Sequence, residues 1–284
     1  MSCPDCFSGH VDSGKPLGRI EKVHGRETYI AEPTDGKSPK GIIVILHDAF
    51  GLPFVNNQIL ADHYAAVGQY LVYLPDFMDG RPAPVELLPV MNKMTDHNDS
   101  WLWKPWYFFQ ILVNIVPFIY HNRLGVAWPK ITSFLQDVRS SDIGSHLPIG
   151  IAGFCWGGPP TFRLASDRAD TRTRDGKRSL ADAFFTAHPS NLSIPADIQQ
   201  VKTNISVAIG DDDVALSLEK AKKIESLLAN LPGVDSEMVV YPGAKHGFAV
   251  RADKEGNPKS ASQAEEAEKQ AIAWFGKHFA RVKY

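Results

Sequence analysis

The stretch Gly153-Phe154-Cys155-Trp156-Gly157-Gly158 constrains this chain more than any other part of it. It follows a short apolar run, Ile149 to Ala152, and leads through Pro159-Pro160 into a helical pattern. A strand that turns sharply into a helix through glycines builds a nucleophile elbow, which holds its central side chain at the end of a sheet. On so tight a turn a neighbouring Cβ would strike strand or helix, and Gly153 and Gly157 remove that clash. Pro159 suits the first helical turn, where its missing N–H is no loss. The usual centre is serine; here it is Cys155, so the stretch predicts attack by sulfur. A helix N-terminus favours thiolate over thiol. The N–H of Trp156, next in the chain, is placed to hold a developing oxyanion. The competing reading is a buried structural cysteine between two glycines.

Around the elbow, apolar runs alternate with helical segments, which predicts a mostly parallel central sheet flanked by helices. Strands are expected at Glu27 to Ala31, Gly41 to Leu46, Tyr70 to Leu74, Ile149 to Ala152, Ala183 to Ala187, Ile205 to Ile209 and Glu237 to Tyr241. Helices are expected at Asn57 to Ala66, Trp128 to Ser140, Leu218 to Asn230 and Ser260 to Phe279. Residues 1–25 read as an N-terminal extension, and 26–284 as one α/β domain with an insertion over about 85–127. Within that insertion, Trp101 to Tyr120 is strongly aromatic and apolar, broken by Lys104, Pro105, Gln110, Asn114 and Pro117. It reads as a lid over a substrate pocket, with a core helix or a surface for membrane or partner as the alternatives. Arg168 to Arg178 reads as a solvated loop.

Composition narrows the function classes. A net charge of −2 gives no reason to expect nucleic acid as partner. Three cysteines are too few for a disulfide framework. Met1 to Asp12 has no apolar signal core, so a cytoplasmic, reducing compartment is expected, where a free thiol survives. Cys3-Pro4-Asp5-Cys6 is a C-x-x-C without a second pair, read as incidental; a zinc shared at a dimer contact or a redox pair is the alternative. No cofactor, no metal and no integral membrane span are expected, and a homodimer is left open.

A thiolate needs a base to manage protons and a carboxylate to orient that base. Both follow Cys155 in the order nucleophile, acid, histidine. The acid lies in Gly210-Asp211-Asp212-Asp213, just past an expected strand. Asp213 is favoured, Asp212 is second, and the others read as turn or capping groups. His246, in Gly243-Ala244-Lys245-His246-Gly247-Phe248, follows the last expected strand and is the base. His47-Asp48-Ala49-Phe50-Gly51 follows the strand that ends at Leu46. This loop is expected to supply the second oxyanion donor through the N–H of Ala49, with His47 and Asp48 at the mouth of the site, either catalytic or making capping and loop hydrogen bonds.

Taken together, Ile42 to Gly51, Tyr73-Leu74-Pro75-Asp76-Phe77, Gly153 to Gly158, Gly210 to Asp213 and Gly243 to Arg251 resemble the dienelactone hydrolase family. The resemblance implies the α/β-hydrolase fold, a Cys155–Asp213–His246 triad and opening of a cyclic enol ester to a dicarboxylic acid. It also implies an auxiliary carboxylate after the early strand, where the best-known members have glutamate and this chain has Asp48, one methylene shorter. Such members bind a substrate carboxylate with arginines. Arg81 and Arg251 fall near those places, each displaced by about one residue.

The resulting expectation is a cofactor-independent hydrolase of esters or lactones acting on a small-molecule substrate. Its rivals are a non-catalytic ligand- or partner-binding protein on the same fold, and an acyltransferase on that scaffold.

Overall fold

The computed structural model describes residues 7–95 and 100–283. The chain runs β1 (Arg19–Val23), β2 (Arg26–Ala31), β3 (Ile42–Leu46), α1 (Val55–Gly68), β4 (Leu71–Pro75), α2 (Leu87–Thr95), α3 (Lys104–His121), α4 (Leu124–Ser140) and α5 (Asp142–His146). It continues through β5 (Ile149–Phe154), α6 (Gly158–Leu164), β6 (Ala183–Ala187), α7 (Ala196–Gln199), β7 (Ile205–Gly210), α8 (Leu218–Ala229), β8 (Ser236–Tyr241) and α9 (Pro258–Phe279). One sheet in the order β1-β2-β4-β3-β5-β6-β7-β8 organises the molecule. From β4 to β8 every pairing is parallel, and β1 and β2 join antiparallel at one edge.

The apolar runs form the middle of this sheet because both of its faces are covered. Along β3, Ile43 and Ile45 belong to the layer with Tyr64 of α1 and Phe275 of α9. Ile42, Val44 and Leu46 face the opposite layer, with Phe134 of α4, Phe162 of α6 and Ile224 of α8. All five residues of β3 are completely buried, so no polar alternation survives in its sequence.

The strand order reverses beside β3. From β3 the chain passes to β4 on one side, then crosses back to β5 on the other. Such a reversal opens a crevice beyond the carboxyl ends of the two central strands. The loop after β3 and the elbow after β5 both start there.

Some expectations change. Residues 7–25, read as an extension, contribute to the body: β1 pairs with β2 from Arg19 to Val23. Phe7 is buried edge-on to Phe50 and Phe118. The β1 sequence alternates charge with isolated apolar residues and is largely exposed, which hides an edge strand from a search for apolar runs. Cys3 and Cys6 lie outside the described residues. Trp101 to Tyr120 forms a short 3-10 turn and most of α3, and only Phe118 of α3 is buried. It is therefore not a core helix. The polar segment Arg168 to Arg178 is a loop with one short turn, tied back by the Arg172–Ser179 bridge. No helix among the described residues is long and apolar enough to cross a membrane.

Candidate active site

Three strands deliver three side chains to the crevice. Cys155 follows β5 with φ +49°, in the left-handed region that L-residues rarely occupy. Glycine is required on either side of it. A Cβ on Gly153 would lie 2.0 Å from Thr161 Oγ1, and one on Gly157 2.0 Å from the Leu46 carbonyl oxygen. The second contact means that the elbow is pressed directly against the end of β3. Trp156 is the middle residue of the single 3-10 turn Cys155–Gly157, a position whose N–H has no acceptor within its own turn.

Asp213 follows β7 and His246 follows β8. His246 Nδ1 lies 3.0 and 2.9 Å from the two Asp213 carboxylate oxygens, and both side chains are fully buried. The Ala215 and Leu216 N–H groups donate to Asp213 Oδ1 at 2.8 and 3.2 Å and fix the carboxylate. Asp211 instead accepts from the Gly243 N–H at 2.5 Å, and both Asp211 and Asp212 are exposed. Of the three adjacent aspartates, Asp213 alone therefore meets the histidine. His246 also hydrogen-bonds Cys155. Burial works against its cationic form, but the Cys155 sulfur and Asp213 outweigh that and push the imidazole up to about 10. A buried imidazole between a carboxylate and a sulfur can hold a proton and pass it on.

The loop after β3 departs from expectation in its depth and agrees with the loop hydrogen bonds expected as the alternative for Asp48. His47 and Asp48 are not at the mouth; both are completely buried. His47 stacks on Trp156 with ring centroids 5.5 Å apart, and burial depresses its basicity. Asp48 Oδ1 accepts from the Phe50 N–H and from Asn57 Nδ2, each at 3.0 Å. Its Oδ2 takes an ion pair from Arg251, with both side chains fully buried. Both oxygens are thus committed to holding the loop. Most of the acceptor capacity of this carboxylate is taken up by the loop and by Arg251. Ala49 lies inside this brace. Its carbonyl accepts from the Ala83 N–H at 2.9 Å, while the loop's own bonds start from the Phe50 and Gly51 amides.

The two arginines do not converge. Arg251 is inside the protein, bonded to Asp48 and to the Ser8 carbonyl. Arg81 is exposed and donates to His121 Nδ1 at 3.0 Å on α3.

The crevice also holds groups that the motifs did not announce. His188, just past β6, is completely buried, and its ring lies edge-on to His246 at 5.0 Å between centroids. Neither of its ring nitrogens has a hydrogen-bond partner among the described residues. Burial, with repulsion from His246 and Arg251, holds it well below its ordinary value, so it stays neutral. Cys155 Sγ lies 3.9 Å from Ser190 Oγ. The signal was available: His188, like Cys155, comes directly after a strand of the parallel sheet, and Asp213 and His246 lie in the loops after two others. Among the described residues no cluster of side chains suits a metal ion.

Beside the elbow opens a pocket of about 290 Å³, walled by Phe118, Ile119, Leu124, Trp156 and Pro160, with Ser190 toward Cys155. Its wall is mostly apolar, as small-molecule sites usually are. Trp156 is locked in it by an indole N–H donated to the Asn122 carbonyl at 2.7 Å.

Residues 130–279, more than half of the chain, match the model of the dienelactone hydrolase family. The chain is 28% identical to the hydrolase pyvD of Aspergillus violaceofuscus over 273 residues, covering 96% of this chain and 95% of that one. It is 33% identical to an uncharacterised AIM2 family protein of Schizosaccharomyces pombe over 261 residues, 90% and 89% of the two chains. Among solved structures, the dienelactone hydrolase of Anabaena variabilis superposes with a TM-score of 0.57 at 14% identity, over 93% of this chain and 98% of that one.

Proposed function

This chain belongs to the dienelactone hydrolase family, and from that premise we propose that it hydrolyses carboxylic esters or lactones with Cys155 as nucleophile, His246 as acid and base, and Asp213 as the group that orients His246. The observation that carries this reading is the buried chain of contacts from Asp213 through His246 to Cys155.

The Cys155 thiolate attacks the substrate carbonyl carbon, and the carbonyl oxygen becomes an oxyanion. The N–H groups of Ala49 and Trp156 hold that oxyanion. Each such donor is worth about 3 kcal/mol in the barrier. The carbon–oxygen bond of the ester then breaks, and His246 gives its proton to the departing oxygen. In a lactone that oxygen remains tethered to the acyl group. Neutral His246 next takes a proton from water, the resulting hydroxide attacks the thioester, and Cys155 leaves as thiolate. The acid product departs, and the imidazolium–thiolate pair is restored.

Asp48 acts as a positioning residue. Paired with Arg251, it braces the loop that presents Ala49 and does not activate the thiol. Family membership does not favour a purely binding role or acyl transfer. A reducing compartment suits a free nucleophilic thiol.

The test compares wild type with Cys155→Ala and Cys155→Ser on a panel of lactones and aryl esters. Loss of turnover in Cys155→Ala with an unchanged circular dichroism spectrum is expected. Ester cleavage at the wild-type rate by Cys155→Ala would end the assignment.

A further inference from the structure

The outer face of α3 is built the wrong way round for a helix in water. Its inward stripe, Tyr107, Gln110, Ile111, Asn114, Ile115 and Phe118, is at least half-buried and includes two amides. The Asn114 amide turns back to the Gln110 carbonyl at 2.8 Å. The outward positions are apolar instead: Trp106, Phe108, Phe109, Leu112, Val113, Val116 and Ile119 are exposed, as are Trp101 and Trp103 of the turn before it. Trp101 is 76% exposed and Trp106 52%. A soluble surface helix places its polar groups outward. A contiguous apolar face of this kind marks a docking surface.

Charge identifies what docks there. Helix α3 contains no carboxylate; its only ionisable side chains are Lys104 at the start, Tyr107 and Tyr120, and His121 at the end. Lys93 and Arg123 are exposed beside the two ends, and Arg81 stands next to His121. None of Lys93, Arg81 and Arg123 pairs with a carboxylate among the described residues. Asp96 and Asp99 of the sequence fall in the stretch outside those residues. Laid against a second copy in either direction, α3 would bring cations to cations. An anionic lipid surface answers both features. It takes the tryptophans and phenylalanines at the headgroup–acyl boundary and the flanking cations at its phosphates.

We propose that α3 docks in the plane of an anionic membrane surface, with its Trp106–Phe109–Val113 face sunk into the interface and without spanning the bilayer. Ile119 belongs to this outer face and also to the wall of the pocket beside Cys155. The docked orientation therefore brings the pocket mouth to the lipid, and esters that partition into membranes reach it directly. This consequence for the substrate rests on the hydrolase reading above; the docking does not.

The experiment is co-sedimentation of the full chain with vesicles of phosphatidylcholine alone, or with about a quarter phosphatidylserine, over a range of salt, with the oligomeric state followed by analytical ultracentrifugation. Wild type is expected to bind the anionic vesicles at least about tenfold more tightly than the neutral ones, with the difference shrinking as salt rises. Trp106→Ser combined with Phe109→Ser should abolish sedimentation with both, while secondary structure and turnover of a water-soluble ester are retained. Lys93→Glu should weaken binding to anionic vesicles only. Cys155→Ala should bind like wild type, which separates failure of the hydrolase reading from failure of docking. A chain that stays in the supernatant at every composition overturns the proposal. So does a concentration-dependent dimer that Trp106→Ser with Phe109→Ser turns into monomer, since the face is then a contact between copies.

Discussion

The crevice around Cys155 and the outer face of α3 are opposite solutions to placing side chains. At the crevice, Cys155, Asp213 and His246 come from the ends of three different parallel strands and are nearly or fully buried. Each is held from several sides: by the glycines of the elbow, by amides to the carboxylate, and by neighbours across the sheet. On α3 one stripe rests on the body, and the outward apolar side chains stay largely exposed. Positions fixed by many contacts can carry strained backbone and opposing charges close together. A face left largely exposed keeps its residues available for something outside the chain.

Substitutions at the two regions should therefore differ in kind. The largest effect is expected at the elbow: Cys155→Ala should lower kcat/KM for ester hydrolysis by about 10⁴-fold or more, with little change in Tm. Equal activity would remove the contrast altogether.

Next comes Asp213→Asn, which should cost about 10²- to 10⁴-fold in kcat and move the alkaline limb of the pH profile downward. The sign follows from the raised His246. Its protonated form persists above the ordinary 6.5 and is lost as pH rises through about 10. The stability that this raised value contributes is likewise complete below 6.5 and fades as pH rises through about 10. Removing the Asp213 charge takes away one of the two causes of the shift. An alkaline limb that stays in place in the variant would mean that His246 is not the titrating group.

Arg251→Met should act on stability before chemistry. It leaves the Asp48 carboxylate buried without its cation, at a cost of about 3–5 kcal/mol, read as a fall in the urea midpoint. Asp48→Asn with Arg251→Met should recover part of that loss, because the uncompensated charge is gone. If the double variant is no better than the single one, the pair is not what braces the Ala49 loop.

The smallest effect belongs to α3. Trp106→Ser should change stability in solution by less than about 0.5 kcal/mol, since it uncovers no core. A large loss of Tm would show that the face packs against the body after all.

How much could be read in advance followed from the same contrast. The parallel strands were legible because a sheet covered on both faces leaves unbroken apolar runs such as Ile42 to Leu46. Cys155, Asp213 and His246 could be picked out as candidates because each lies in the loop after an expected strand, and the glycines of the elbow have a steric reason visible in the letters. The edge strand β1 was not, because an exposed strand has no apolar run to betray it. The choice among Asp211, Asp212 and Asp213 also needed the structure, which brings only Asp213 within reach of His246.

The sequence alone marked the parallel strands, the elbow and the chain order of the candidate residues Cys155, Asp213 and His246, because local sterics and burial write themselves into residue type. Tertiary structure decided what those groups face. It gave the Asp48 carboxylate to Arg251, 203 residues away, placed His188 against His246, and turned the aromatic side of α3 outward. Such pairings depend on distances between segments far apart in the chain, and no local pattern of residues encodes them.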